Sequence, residues 1–138
     1  MTMKIKGRKL DNSKMTDNVK KLIKMVNEHF DADTNSILVN KFYAGQVLPS
    51  HADNESILFH RSSEIETSNI ISISASGTAE LQISLQNRWR KAGNWDIVSK
   101  LQVEQGSSYR MDGYFQRLFL HSVRNITARV SFTFRKVF

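Results

Sequence analysis

Between Ser36 and Arg135 the apolar residues recur at every second position, and this period restricts the chain to a mainly β fold. Alternation at period two places one apolar and one polar face on an extended strand. The stretches "SILVNKFY", "NIISISAS", "AELQISLQ", "DIVSKLQV", "SSYRM", "RLFLHSV" and "TARVSFTFRKV" read as short strands, separated by Gly, Asn, Asp and Ser, which favour turns. Only "TDNVKKLIKMVNEHF" keeps helical spacing, with Val19, Leu22, Ile23 and Val26 on one face and Thr16 or Asp17 as N-cap. One helix followed by about seven short strands predicts a sandwich or jelly roll with the helix packed on it, rather than a parallel α/β sheet.

At 138 residues the chain is expected to form one domain, with residues 1–15 a flexible basic arm and residues 16–138 the folded unit. No apolar run approaches a membrane span, and "MTMKIKGRKL" has no apolar segment of the kind a secretory signal carries. The absence of cysteine excludes disulfides, zinc–thiolate sites and cysteine nucleophiles. A cytoplasmic location and a monomer, with no membrane partner, are therefore expected. The net charge of +7 is concentrated at one end. Residues 1–24 hold Lys4, Lys6, Arg8, Lys9, Lys14, Lys20, Lys21 and Lys24 against Asp11 and Asp17. Such a segment is the electrostatic footprint of a polyanion binder, nucleic acid first among them; a solvated tail is the bland alternative.

The chemistry-bearing residues sit in two places. In "PSHADNESI", His51 and Asp53 are two apart on a segment expected to be extended, so both side chains point to one side. A distant histidine would complete a two-histidine, one-carboxylate set, the ligands of non-haem Fe(II) oxygenases. His121 in "RLFLHSV" is the candidate; His29 and His60 read as surface residues. An H-x-D pair alone is weak, and a strand histidine is more often structural than a ligand. The second place is "ITARVSFTFRKV". There Arg129, Ser131, Thr133 and Arg135 share one strand face, and Val130, Phe132 and Phe134 the other. The polar face is either solvent-exposed or the wall of an anion pocket. The two arginines lie about 20 Å apart along an ideal strand, with side chains long enough to lean together over Ser131 and clamp a dicarboxylate.

Taken together these segments resemble the AlkB family of Fe(II)/2-oxoglutarate dioxygenases, nucleic-acid demethylases with a double-stranded β-helix (jelly-roll) core. The resemblance runs from Asn35 to Arg135, roughly three-quarters of the chain. It rests on "NSILVNKFYAGQVLPSHADNE", "ISISASGTAELQI", "YRMDGYFQRLFLHSVRN" and "RVSFTFR", in that order. The compact form and the wording of "FQRLFLHSVRNITARVSFTFR" look most like the AlkB domains of plant RNA virus replicase polyproteins, which would place it in host cytoplasm.

The resemblance implies Fe(II) on His51, Asp53 and His121, and 2-oxoglutarate on Arg129 and Arg135 with help from Asn40 and Ser131. It puts Glu55 against the methylated base, though an ordinary exposed carboxylate is an equal reading. The activity implied is oxidative demethylation of N-methylated bases, in single-stranded RNA by preference, with O2 consumed and succinate, CO2 and formaldehyde released. Phe42 stands where the family usually has Tyr, Ser131 where many members have Asn, and the 35 or so residues before the core leave little for a base-gripping lid. Two other functions remain open at this point: a 2-oxoglutarate-dependent hydroxylase of a protein or small molecule, and a non-catalytic jelly roll that binds RNA through its basic arm.

Overall fold

In the computed structural model, residues 15–53, 69–85 and 97–137 are described. Their order along the chain is α1 (Asp17–Phe30), β1 (Ser36–Phe42), β2 (Val47–His51), β3 (Asn69–Ser76), β4 (Ala79–Leu85), β5 (Ile97–Val103), β6 (Ser108–Asp112), α2 (Gly113–Leu118), β7 (Phe119–Asn125) and β8 (Arg129–Arg135). The strands form two four-stranded antiparallel sheets, ordered β1-β8-β3-β6 and β2-β7-β4-β5. The fold is mainly β, as the period-two pattern predicts.

Helix α1 begins where its cap is expected: the Thr16 hydroxyl accepts the Val19 N–H at 3.3 Å. It ends at Asp31, whose φ of 49° puts it in the left-handed region, a common way to finish a helix. The Asn27 side chain then exchanges hydrogen bonds with the Thr34 backbone, and Arg110 donates to the Phe30 carbonyl. Together these tie the end of α1 to the first sheet. The apolar stripe of α1 buries Ile23 and Val26 against Ile71 and Phe134, with Ile37, Ile73 and Phe132 around them. Burial of this kind contributes about 1.5–3 kcal/mol per large apolar side chain.

That packing settles which way β8 faces. Its aromatic face lies under α1, so Arg129, Ser131 and Thr133 turn inward and are buried. The solvent-facing alternative for this polar face is thereby excluded. Ser72 and Ser74 of β3 lie opposite Thr133 and Ser131 in register, and Asn40 of β1 lies opposite Ser131 from the other side. Opposed residues on antiparallel strands project to the same face, so Asn40, Ser131 and Ser74 form a polar row across three strands. In the second sheet, Ala79, Leu81 and Val123 pack with Val103, and Tyr109 of the first sheet packs against them. This cluster joins the two inner faces.

The β3–β4 turn depends on Gly77, at φ +84°, a conformation only glycine adopts without strain. A Cβ there would collide with the Ala128 carbonyl and stand 2.8 Å from the Arg129 Cα. The same glycine thus lets the start of β8 pass close by.

Two features differ from the sequence expectation. Strand β2 is not among the strands named from the sequence, although its last residue falls in the segment expected to be extended; its five residues are centred on Pro49. As an edge strand beside β7, β2 tolerates the missing N–H. "RLFLHSV" is not strand throughout: Arg117 and Leu118 close the six-residue α2, capped by Asp112 through the Phe115 N–H at 2.8 Å. The described residues therefore hold two helices and eight strands. Residues 1–14, His60 and the segment 86–96 lie outside the described residues, as does Glu55. No helix among the described residues is long and apolar enough to cross a membrane.

Candidate metal centre

Two chain segments bring three donor side chains together. His51 is the last residue of β2, and Asp53 follows it. His121 is the third residue of β7. The β2–β7 ladder pairs His51 directly with His121. Their rings tilt against each other with centroids 4.2 Å apart. One Asp53 oxygen stands 3.5 Å from His51 Nε2 and the other 3.4 Å from His121 Nε2. All three donors lie within 4.8 Å of one another.

The donor chemistry fits a divalent cation. His51 Nδ1 lies 2.7 Å from the Pro49 carbonyl. A carbonyl only accepts, so Nδ1 carries the proton, and in the neutral ring Nε2 presents a lone pair to the Asp53 carboxylate. A bound metal ion would take that lone pair as a ligand, whereas without one a protonated ring donates to Asp53 instead. This fixing of the tautomer through the other ring nitrogen is the usual second contact of a metal-binding histidine. Donors about 2.1 Å from a shared ion at right angles are about 3 Å apart, so the two Asp53–histidine spacings of 3.5 and 3.4 Å need only a small contraction, and the two rings must close further on an ion. His121 Nδ1 is buried and has no hydrogen-bond partner among the described residues.

The carboxylate is held ready. Burial by itself raises the pKa of Asp53. A hydrogen bond from His121 and the charges of Arg135, His121 and His51 outweigh it, and leave the group below its usual value. Arg135 reaches Asp53 across 3.7 Å. Exposure is graded: the side chain of His51 is 32% exposed and that of His121 4%, so solvent reaches the centre from the His51 side.

At the other end of β8, Arg129 is 3% exposed. Its Nε donates to the Ser74 hydroxyl at 2.9 Å, and its guanidinium lies 5.8 Å from the centre of the Phe42 ring. Ser74 is paired with Ser131 rather than with Arg129, so the Arg129 side chain leans along the strand toward Arg135. No carboxylate among the described residues pairs with it. A buried cation without a counter-charge is costly, and this one sits on the same inner face as Asn40 and Ser131.

All the site residues named from the sequence that are described, namely His51, Asp53, His121, Asn40, Arg129, Ser131 and Arg135, lie at the triad or on this inner face. Gln116 was missed. It is 1% exposed on α2, and its Oε1 accepts the Asp53 N–H at 2.8 Å. A glutamine in the connection between two expected strands, "SSYRM" and "RLFLHSV", carries no sequence signal for such a contact.

No protein-family model and no curated protein matches the chain. Among solved structures, that of OsALKBH1 matches it with a TM-score of 0.58 and 22% sequence identity, over 86% of this chain and 62% of that one. The chain spans less than two thirds of that neighbour's length, and the likeness is one of fold alone; on its two antiparallel sheets this chain carries a His-Asp-His cluster suited to a metal ion.

Proposed function

We propose that this chain is an AlkB-type Fe(II)/2-oxoglutarate-dependent dioxygenase that demethylates N-methylated bases, single-stranded RNA being its preferred substrate. The observation that carries the reading is the His51–Asp53–His121 cluster, whose donors within 4.8 Å form the two-histidine, one-carboxylate set that leaves coordination positions open. The strand orders 1-8-3-6 and 2-7-4-5 fit a double-stranded β-helix, with the triad on one sheet and the arginine face on the other. The fold shared with OsALKBH1, an AlkB homologue by name, adds to this.

In this reading His51, Asp53 and His121 hold Fe(II). Arg129 pairs with the distal carboxylate of 2-oxoglutarate, which supplies the counter-charge it otherwise lacks. Arg135 serves the keto-acid end and keeps Asp53 ionised, and Asn40 and Ser131 line the wall between. Iron, with 2-oxoglutarate and O2, supplies the oxidation of the N-methyl group, giving succinate, CO2 and formaldehyde. The protein's part is to orient the co-substrate and to bury the centre on the His121 side.

The preference for RNA rests on charge. Lys20, Lys21 and Lys24 are exposed on α1 and continue the basic run of residues 1–24. A base within a duplex must be extruded before reaction, so single strands are the easier substrate. Glu55 is assigned to the base from the motif alone. The motif wording resembles the AlkB domains of plant RNA virus replicases, a resemblance under which the chain would act in host cytoplasm.

Mass spectrometry of nucleosides after incubation with methylated RNA, Fe(II), 2-oxoglutarate and O2 tests this. Loss of methyl groups with matching formaldehyde is expected. Turnover of 2-oxoglutarate without demethylation would favour a hydroxylase of protein or small molecules. RNA binding without any metal binding would favour a non-catalytic RNA-binding domain.

A further inference from the structure

The metal-ligand carboxylate is held at two levels. Its side chain is surrounded by His51, His121 and Arg135, and its backbone N–H is bound by a residue from elsewhere in the chain. That residue is Gln116, whose Oε1 accepts the Asp53 N–H at 2.8 Å in a buried contact. Only an oxygen accepts from an N–H, so the orientation of this amide is fixed by its partner. The other half of the amide, Nε2, is buried with no hydrogen-bond partner among the described residues. Leaving a buried donor unmet is destabilising, so filler for this volume would be better apolar. The side chain is more than packing.

Its position shows what it joins. The three ligands come from two segments, one ending β2 and one in β7. The β2–β7 ladder is irregular between Leu48 and His51, and Asp53 lies beyond its last pair. Backbone pairing therefore fixes His51 against His121 but does not reach Asp53. Gln116 is on α2, five residues before His121 on the same segment. Its bond to Asp53 is thus a second tie between the segments, placed where the ladder gives out.

We propose that Gln116 is a positioning residue for the metal centre: by accepting the Asp53 N–H it holds the carboxylate in its ligating place before any ion arrives. This rests on the metal reading of the triad and deepens it. Contacts that orient a ligand typically alter metal affinity by ten- to a hundredfold. Gln116→Met keeps the volume and loses the acceptor. Gln116→Glu keeps an acceptor oxygen.

Mn(II) binding is measured by electron paramagnetic resonance on wild type and both variants, alongside urea denaturation of each without metal. The expected result is a ten- to hundredfold weaker Mn(II) affinity in Gln116→Met and an affinity within about threefold of wild type, or tighter, in Gln116→Glu. Unchanged affinity in Gln116→Met, or equal losses in both variants, would overturn the proposal. A purely structural glutamine would lower stability without metal and leave the affinity of the folded fraction alone, which also overturns it. A wild-type protein that binds no Mn(II) would sink the metal reading itself, a separate failure. One measurement needs no variant. In metal-free wild type, the Asp53 amide should be protected from hydrogen exchange, and exchange at the free-peptide rate would show that the tie is absent.

Discussion

Replacing Arg129 by Met should weaken 2-oxoglutarate binding sharply while leaving the metal-free fold about as stable as before. The two halves of this expectation come from the same observation. Arg129 is 3% exposed, and its described contacts are the Ser74 hydroxyl and the Phe42 ring. Removing it forfeits a charge-assisted hydrogen bond of about 1.5–3 kcal/mol and a cation–π contact of about 0.5–2 kcal/mol. It also relieves the burial of a charge, a penalty of several kcal/mol. These oppose each other, so stability without ligand should fall by no more than about 1 kcal/mol. In the proposed complex with 2-oxoglutarate the balance would change, because the guanidinium would gain a carboxylate. Losing that pair costs about 1.5–3 kcal/mol, which is a ten- to hundredfold weaker Kd. Arg129→Lys keeps the charge without the planar fork and should fall between. Calorimetric titration of 2-oxoglutarate into Mn(II)-loaded protein reads the affinity, and urea denaturation reads the stability. A large stability loss with unchanged affinity would make Arg129 a structural residue and refute the reasoning.

Three further outcomes are expected. The pKa of Asp53 is depressed on folding, so its ionised form stabilises the fold above the unfolded value of about 3.9 and loses that effect as pH falls through the lower folded value. The urea stability gap between wild type and Asp53→Asn should be full at neutral pH and shrink below about pH 4, whereas a constant gap would deny the charge a role. Phe42→Tyr, opposite Arg129 in register, should tighten 2-oxoglutarate by about two- to tenfold through one added hydrogen bond, and no change in titration would show that this ring edge does not face the co-substrate. Deleting residues 1–15 removes Lys4, Lys6, Arg8, Lys9 and Lys14, and should weaken RNA binding and flatten its salt dependence, with turnover of a free methylated nucleoside unchanged; an unaltered salt slope would assign the arm elsewhere.

The residues that matter most were readable because their chemistry is carried by spacing. His51 and Asp53 are two apart, and the arginine face of β8 follows from alternation. What spacing left open was the direction of that face. Only the packing of Phe134 and Phe132 under α1 turns Arg129 and Ser131 inward. Short elements were lost for a different reason. Strand β2 contains Pro49, which argues against a strand unless the strand lies at an edge, and edge position is a tertiary fact. Helix α2 has six residues, too few for a periodic pattern, and falls partly in the short connection between two expected strands. With α2 unseen, Gln116 had no face to be placed on, so its bond to Asp53 was beyond sequence reasoning. Glu55 and the basic arm, outside the described residues, rest on motif and charge.

The central claim is that His51, Asp53 and His121 hold an iron that turns over 2-oxoglutarate, and one experiment addresses it most directly. Fe(II) and 2-oxoglutarate are added to the protein without O2, then O2 is admitted, with methylated single-stranded RNA present. The account predicts a visible absorption band that needs both additions, its loss on exposure to O2, and succinate and formaldehyde in equal amounts, all absent in Asp53→Ala despite an intact fold. A wild-type protein that gives neither band nor succinate, or an Asp53→Ala protein that matches wild type, would contradict it.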